Sequence, residues 1–421
     1  MTELSFKDFN LAKPIADALD RAGFDTPTPI QAQAIGPQLE GRDILGLAQT
    51  GTGKTAAFAL PILHHILAMP GRAAPGSARA LILAPTRELA VQILDEFRRF
   101  AGGARVSTCL VLGGVSRNAQ IRNLSRGVDV LVATPGRLLD LVDDRKVRLD
   151  EVRFVVLDEA DRMLDMGFVQ PVRRIVSMLH PRRQSAMFSA TMPSEVSGLA
   201  GSFLNNPVRV EVAPQSTVVT RIEQSAELMD GPAKRTRLAE LLGAPDMERA
   251  IVFARTKRGA DRVAQNLEKD GIKAEAIHGN KAQNARQRAL NNFRHGTVRV
   301  LVATDIAARG IDVPGISHVV NYDLPDEPEN YVHRIGRTAR NGADGVAVTL
   351  CAPDEVKKLR AIEKITGERL LPGSVVGVEP KKPARGGRRG GGGGAGAKPA
   401  AQGDKARRPN RRRRGPARDA A

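Results

Sequence analysis

The chain has 421 residues, of which 42% are apolar and 3% aromatic, with no Trp and a formal net charge of +18. That length predicts two or three domains whose cores rest on Ala, Val, Leu and Ile. No stretch approaches about 18 uninterrupted apolar residues, so membrane spans are not expected. Cys109 and Cys351 lie far apart in apolar stretches and read as reduced core residues, not as a disulfide scaffold or a metal pair. The start Met1–Phe6 lacks the basic and apolar regions of a signal peptide, so a cytoplasmic location is the expectation. Oligomeric state is left open.

Taken in order, the chain opens with an amphipathic helical pattern over Leu11–Ala22. Pro27 and Pro29 then break it within the stretch Gly23–Gln31, which predicts a short extended segment. Gln31 carries a donor and an acceptor together, as an adenine edge requires, although a structural turn competes with that reading. The apolar segment Asp43–Leu47 leads into Ala48, Gln49, Thr50, Gly51, Thr52, Gly53, Lys54 and Thr55, and a helix follows from Ala56. Strand, glycine-rich turn and helix are the context a phosphate-binding loop needs. Glycines allow close approach of N–H groups, Lys54 would reach the β- and γ-phosphates, and the Thr55 hydroxyl would ligate Mg2+. Ala48 stands where the general pattern has Gly, so a small-residue turn opening a core helix is the competing reading.

Further apolar runs follow at Ala80–Pro85, Asp129–Pro135, Val152–Leu157 and Ser185–Ser189, separated by helical patterns such as Glu88–Phe100 and Phe168–Leu179. This alternation predicts a parallel sheet covered by helices, with function at the carboxyl ends of its strands. A second series begins after residue 215, at Ala250–Ala254, Ala274–His278, Val298–Thr304, His318–Tyr322 and Gly345–Leu350. It predicts a second α/β domain without a phosphate loop. The expected boundaries are 1–212, a linker at 213–219, 220–377, and a tail at 378–421. After about Gly377 the composition turns to Gly, Pro, Ala, Arg and Lys, and Pro380–Ala421 holds fourteen Lys and Arg against Asp404 and Asp419. Such a segment cannot bury a core, and its charge points to a polyanionic partner.

Asp158-Glu159-Ala160-Asp161 ends the run Val152–Leu157, in the same domain as Lys54. Nucleotide hydrolysis needs a carboxylate near Mg2+ and a group that activates water; Asp158 suits the first role and Glu159 the second. An acidic helix start is the competing reading. Arg334, Arg337 and Arg340 recur every three residues, which predicts one face of a helical turn able to neutralise a transferring phosphoryl group, or a solvated basic face. His64, His65 and His180 have no partners at useful spacing, and Met163 and Met166 read as packing.

In order and content these motifs resemble a DEAD-box ATP-dependent RNA helicase of helicase superfamily 2, and more narrowly the bacterial RhlE-type branch. The resemblance covers about residues 4–372. It includes Gly23–Gln31, Ala48–Thr55, Pro85-Thr86-Arg87-Glu88-Leu89, Gly113-Gly114, Thr134–Arg137, Asp158–Asp161, Ser189–Thr191, Ala303–Asp312 and His333–Arg340. It implies two tandem RecA-like domains that close over ATP and one RNA strand. By that analogy Phe6 stacks on adenine, with Phe24 and Gln31 in the same nucleotide set, and Asp312 contacts the ribose. Lys54, Asp158, Glu159, Arg337 and Arg340 would act in catalysis, with Thr55 and Asp158 at the metal. Ser189 and Thr191 would couple the nucleotide cleft to RNA. RNA would lie on Thr86, Arg87, Gly114, Thr134 and Arg137 in the first domain, and on Arg255, Thr256, Gly279, Arg286 and Thr304 in the second.

The resemblance implies RNA-stimulated ATP hydrolysis with local unwinding of short duplexes, on single-stranded or short duplex RNA, and partners among ribosomal precursor particles or the RNA-decay machinery. A superfamily 2 DNA translocase and an ATP-gated RNA clamp are the alternatives. Ala48 agrees with the family. Ala339 departs from it, standing where Gly is usual, and one methyl is expected to fit a helical turn there.

Overall fold

The computed structural model describes residues 4–49, 51–212, 221–245, 247–308, 311, 313, 315–339 and 343–371. The linker expected at 213–219, the tail from 378, and the site candidates Thr50, Asp312 and Arg340 lie outside them.

The expected strands form β1 (Ile44–Leu47), β2 (Ala78–Leu83), β4 (Val128–Ala133), β5 (Phe154–Leu157) and β6 (Gln184–Ser189), joined by β3 (Thr108–Val111) and β7 (Val208–Glu211). They make one seven-stranded parallel sheet in the order β3-β4-β2-β5-β6-β1-β7. The second sheet has six parallel strands in the order β10-β11-β9-β12-β13-β8. These are β8 (Ile222–Leu228), β9 (Ala250–Phe253), β10 (Ala274–Ile277), β11 (Val300–Ala303), β12 (His318–Asn321) and β13 (Gly345–Cys351).

Successive strand residues feed opposite cores, which is why the central runs are continuously apolar. In β2, Ala80 and Ile82 face one cluster with α3 (Lys54–Ala68) and α4 (Arg87–Phe100). Leu81 and Leu83 face another, with α6 (Pro135–Asp143) and α9 (Ser194–Phe203). The second sheet repeats the plan, with Ile251 and Phe253 on one side and Ala250 and Val252 on the other. Both faces are therefore covered, as parallel sheets require. Cys109 and Cys351 are buried and free, and Met163 lies in the core, as expected.

Two local expectations change. Pro29 opens α2 (Pro29–Leu39), with Thr28 as its cap, so Gln31 sits in a helix and not in an extended segment. Within the arginine repeat, Arg334 and Arg337 do not share a helical face. Helix α14 (Pro328–Ile335) ends before Arg337, and Ala339 has φ 54°, in the left-handed region. A Cβ opposes left-handed backbone, so this turn would suit a glycine better than the alanine it carries, and it is not the helical turn expected.

Candidate ATP and RNA site

The phosphate loop leaves the carboxyl end of β1 and enters α3. Gly53 caps the helix at φ 88°, and a Cβ there would stand 2.4 Å from Nε2 of Gln31. The loop is held from behind by α2. Nε2 of Gln31 donates to the Gly53 carbonyl at 3.0 Å, and its Oε1 accepts from Thr28 N at 2.8 Å. The Thr28 hydroxyl donates to the Thr52 carbonyl, and the Thr52 hydroxyl to that of Gln49, each at 2.8 Å. Gln31 thus braces the loop with groups expected to face an adenine. Phe6 is buried against Phe9 and Phe24, and Phe24 is half-buried beneath the Arg99 guanidinium. Lys54 is buried, its Nζ donating to the Ala48 carbonyl at 3.0 Å, while Thr55 is half-buried on the first turn of α3.

The acidic motif follows β5, two strands from β1 in the same sheet. Burial pushes Asp158 up to about 6, against the lowering effect of Lys54, and the neighbouring charges of Glu159 and Asp161 push the same way as burial. A buried carboxylate so short of positive charge fits a divalent cation. Among the described residues no three His, Cys, Asp or Glu converge as a metal cage. Asp158 and Thr55 would therefore share the ion with phosphate oxygens and water. Glu159 caps α7 (Ala160–Asp165) with φ 54° and ψ 54°, a conformation that L-residues adopt only under constraint.

Asp161 takes a part that sequence reading missed. Its Oδ2 accepts from Ala190 N, Thr191 N and the Thr191 hydroxyl at 3.1, 2.9 and 3.0 Å. Burial raises this carboxyl, but Lys54, the Thr191 hydroxyl and Arg162 outweigh it and hold it below the usual range. Ser189 completes the link, accepting from Asp161 N and donating to the Thr191 carbonyl. The only advance signal was the short polar side chains at the end of β6.

The two domains present their candidate RNA residues on matching loops. Thr86 caps α4 after β2 at φ −122° and ψ 155°; Thr256 caps α11 (Lys257–Lys269) after β9 at φ −121° and ψ 154°. Each hydroxyl accepts from the amide three residues on. Thr134 and Thr304 likewise follow β4 and β11, both buried. The Arg87 guanidinium lies over Gly113 and Gly114, where a Cβ on Gly114 would stand 2.2 Å from Nη1. Arg137 donates to the Val115 carbonyl, and Gly279 faces the Lys257 stem.

Three arginines differ from expectation. Arg286, on α12 (Gln283–Arg294), is paired with Glu88 and not open to phosphate. Arg255 is held by Glu355, itself bonded to Lys234 at 2.7 Å. Arg337 is buried, donating to the carbonyls of His333 and Ile311. Arg334 is a structural hub that spacing could not reveal. It grips Asp305 with Nε and Nη2 at 2.5 and 2.7 Å, binds Asn321 and the Asp323 carbonyl, and stacks over Phe253.

Known proteins match this arrangement along most of the chain. The DEAD/DEAH box helicase family matches residues 28–199, and the helicase conserved C-terminal domain matches residues 233–342. DEAD-box ATP-dependent RNA helicase 30 of Arabidopsis thaliana is 46% identical over 365 residues, covering 86% of this chain and 62% of that protein. DEAD-box ATP-dependent RNA helicase CshA of Bacillus subtilis is 43% identical over 367 residues, covering 87% and 73%. The chain thus spans less than two thirds of the plant relative's length. A structure of S. cerevisiae Dbp5 bound to RNA and ADP BeF3 superposes with a TM-score of 0.78 at 33% identity, covering 87% of this chain and 94% of that one. The paired parallel sheets are accordingly RecA-like, and the chain belongs to the DEAD-box helicase family.

Proposed function

We propose that this protein is an RNA-stimulated ATPase that converts ATP and water to ADP and phosphate and locally unwinds short RNA duplexes without sequence preference. The observation that carries this reading is the convergence of the phosphate loop, Asp158 and Glu159 in one domain with a second domain whose Arg286 is docked against Glu88.

Lys54 leaves the Ala48 carbonyl for the phosphates, and Gln31 and Thr28 keep the loop backbone fixed as it does so. Asp158 and Thr55 would hold Mg2+, which when bound would supply charge neutralisation at the transferring group. Glu159 takes a proton from the attacking water. Asp161 ties the acidic motif to Ser189 and Thr191, a path by which nucleotide state reaches the RNA face. Arg337 and Arg340 are proposed as the arginine fingers, and Asp312 as the ribose contact. For Arg337 this requires exchange of its carbonyl partners for phosphate oxygens. Phe6, Phe24 and Gln31 are proposed to set the adenine pocket. Contacts to phosphate and 2′-hydroxyl groups from Thr86, Arg87, Gly114, Thr134, Arg137, Thr256, Gly279 and Thr304 would favour RNA over DNA and tolerate any sequence, with Arg255 and Arg286 joining them only on release from Glu355 and Glu88.

The basic tail adds salt-sensitive affinity for structured RNA. We place the protein in the cytoplasm, in the RhlE-type bacterial branch, acting on ribosomal precursors or in RNA decay; the basic tail, with a net charge of +12, supports the RNA partner. The deciding experiment compares ATP turnover with single-stranded RNA, single-stranded DNA and neither, alongside displacement of a short labelled duplex. Stimulation by RNA alone with displacement is expected. Equal stimulation by DNA would favour a translocase, and RNA retention without displacement would favour a clamp.

A further inference from the structure

Glu159 has a charged neighbour that the mechanism above leaves unused. Glu159 and Arg162 lie three residues apart across the start of α7, with side chains 4% and 3% exposed. Nη1 of Arg162 stands 3.3 Å from Oε2 of Glu159. The contact is ionic only: Oε2 of Glu159 and both Nη1 and Nη2 of Arg162 are buried and make no hydrogen bond. A buried guanidinium with idle N–H groups is costly, and the charges that offset that cost here are the carboxylates of Glu159, at ion-pair distance, and Asp161.

The other groups nearby are already engaged. Asp161 turns Oδ2 to the Ala190–Thr191 turn and Oδ1 to the amide of Arg162. Lys54 donates to the Ala48 carbonyl. Of these two carboxylates, Glu159 is the one the Arg162 guanidinium meets at ion-pair distance. It also carries left-handed backbone, so strain and an incompletely satisfied ion pair coincide on one residue.

We propose that Arg162 is a positioning residue for ATP hydrolysis. Its guanidinium holds Oε2 of Glu159 inward and fixes the plane of the carboxylate, which leaves Oε1 to receive the proton of the attacking water. In that step the water O–H bond breaks as its oxygen bonds to the γ-phosphorus. The proton passes to Oε1, and the bond from γ-phosphorus to the bridging oxygen breaks, so that ADP leaves with the electron pair. Arg162 touches neither the water nor the nucleotide. Its planar fork defines an orientation that a lysine ammonium, a point charge, does not. The inference rests on Glu159 being the water-activating base.

The test uses the full chain as wild type, Arg162→Lys, Arg162→Gln, Glu159→Gln and the double variant Arg162→Lys/Glu159→Gln. Steady-state ATP turnover at saturating RNA, binding of a fluorescent ADP analogue and thermal melts are recorded for each. Arg162→Lys is expected to lower kcat about tenfold or more, with KM for ATP and ADP-analogue binding changed less than about threefold, as misplacement of a reacting group does. On the Glu159→Gln background the same change should have little further effect, since Arg162 acts through that residue.

If Arg162→Gln does not fold, Arg162→Lys, which keeps a charge beside Glu159, decides the matter. A kcat near wild type in Arg162→Lys, a loss confined to KM, or an equal loss on the Glu159→Gln background would overturn the proposal. Wild-type protein that lacks RNA-stimulated turnover, or turnover that survives Glu159→Gln intact, would instead overturn the assignment of Glu159 on which it stands.

Discussion

Oε2 of Glu88, on α4 of the first domain, lies 2.7 Å from Nη2 of Arg286, on α12 of the second, with side chains 1% and 7% exposed. Arg87 donates to Oε1 of Gln283 at 3.3 Å, and Nε2 of Gln283 donates back to Glu88 at 3.4 Å. The domains therefore meet through a buried polar cluster. Removing one partner of such a pair strands the other charge, at a cost of about 3–5 kcal/mol. Glu88→Ala is expected to separate the domains, read as an increased radius of gyration in small-angle X-ray scattering. An unchanged radius would show that the pair does not hold them together.

Asp158 gives a pH signature. Its folded-state value of about 6 lies above the 3.8 of the free side chain. Between those values the folded protein binds more protons than the unfolded one, so stability falls as pH rises through the window, and the full cost is present at pH 7. That cost is about 3 kcal/mol by linkage. Asp158→Asn should raise Tm by about 5 °C at pH 7 and barely change it at pH 4, while abolishing ATP turnover. Equal shifts at both pH values would contradict the assignment.

Gln31 braces the phosphate loop through Gly53 and Thr28. Gln31→Ala removes both bonds, each contributing about 1 kcal/mol. KM for ATP should rise about tenfold. GTP should gain relative to ATP only if Gln31 also reads the base, so competition assays with the two nucleotides separate bracing from recognition.

At Ala339 the left-handed backbone sets the tolerance. Glycine removes the conformational penalty but also a buried methyl, so Ala339→Gly should be nearly neutral in urea unfolding. A β-branched residue fits neither the backbone nor the core. Ala339→Val should therefore cost about 2 kcal/mol or more. Similar values for both substitutions would show that the φ of 54° is not a constraint.

The basic tail is testable by deletion of residues 380–421, which removes a net +12 of the chain's +18. Duplex affinity should fall and its salt dependence flatten. An unchanged slope against log salt would place RNA affinity elsewhere.

Most of the fold was legible because central strands are buried on both faces and read as unbroken apolar runs. The three strands that sequence reading did not pick out, β3, β7 and β8, are all at sheet edges. In β7 and β8, Arg209, Glu211, Glu223 and Glu227 interrupt the pattern, since an edge has solvent on one side, while β3 is only four residues long with two of them half-buried. The site was legible where chemistry restricts residue type within a short stretch, as at Gly53-Lys54-Thr55 and Asp158-Glu159. It was not legible where partners lie far apart in sequence. Arg334 finds Asp305 across 29 positions, and Glu88 finds Arg286 across 198. Spacing also misjudged Arg337, because a helix that ends at Ile335 cannot carry its periodicity further.

The bond from Lys54 to the Ala48 carbonyl has a bearing on selectivity. That bond engages one of the three N–H donors of a buried ammonium and leaves its charge without a buried anion at bonding distance among the described residues. A neutral hydroxyl or water offers such a charge little beyond what the carbonyl already gives, whereas a polyphosphate carrying several negative charges offers a charge-assisted bond. If the loop acts as proposed, Lys54 would therefore favour polyphosphates over nucleosides before either domain has moved.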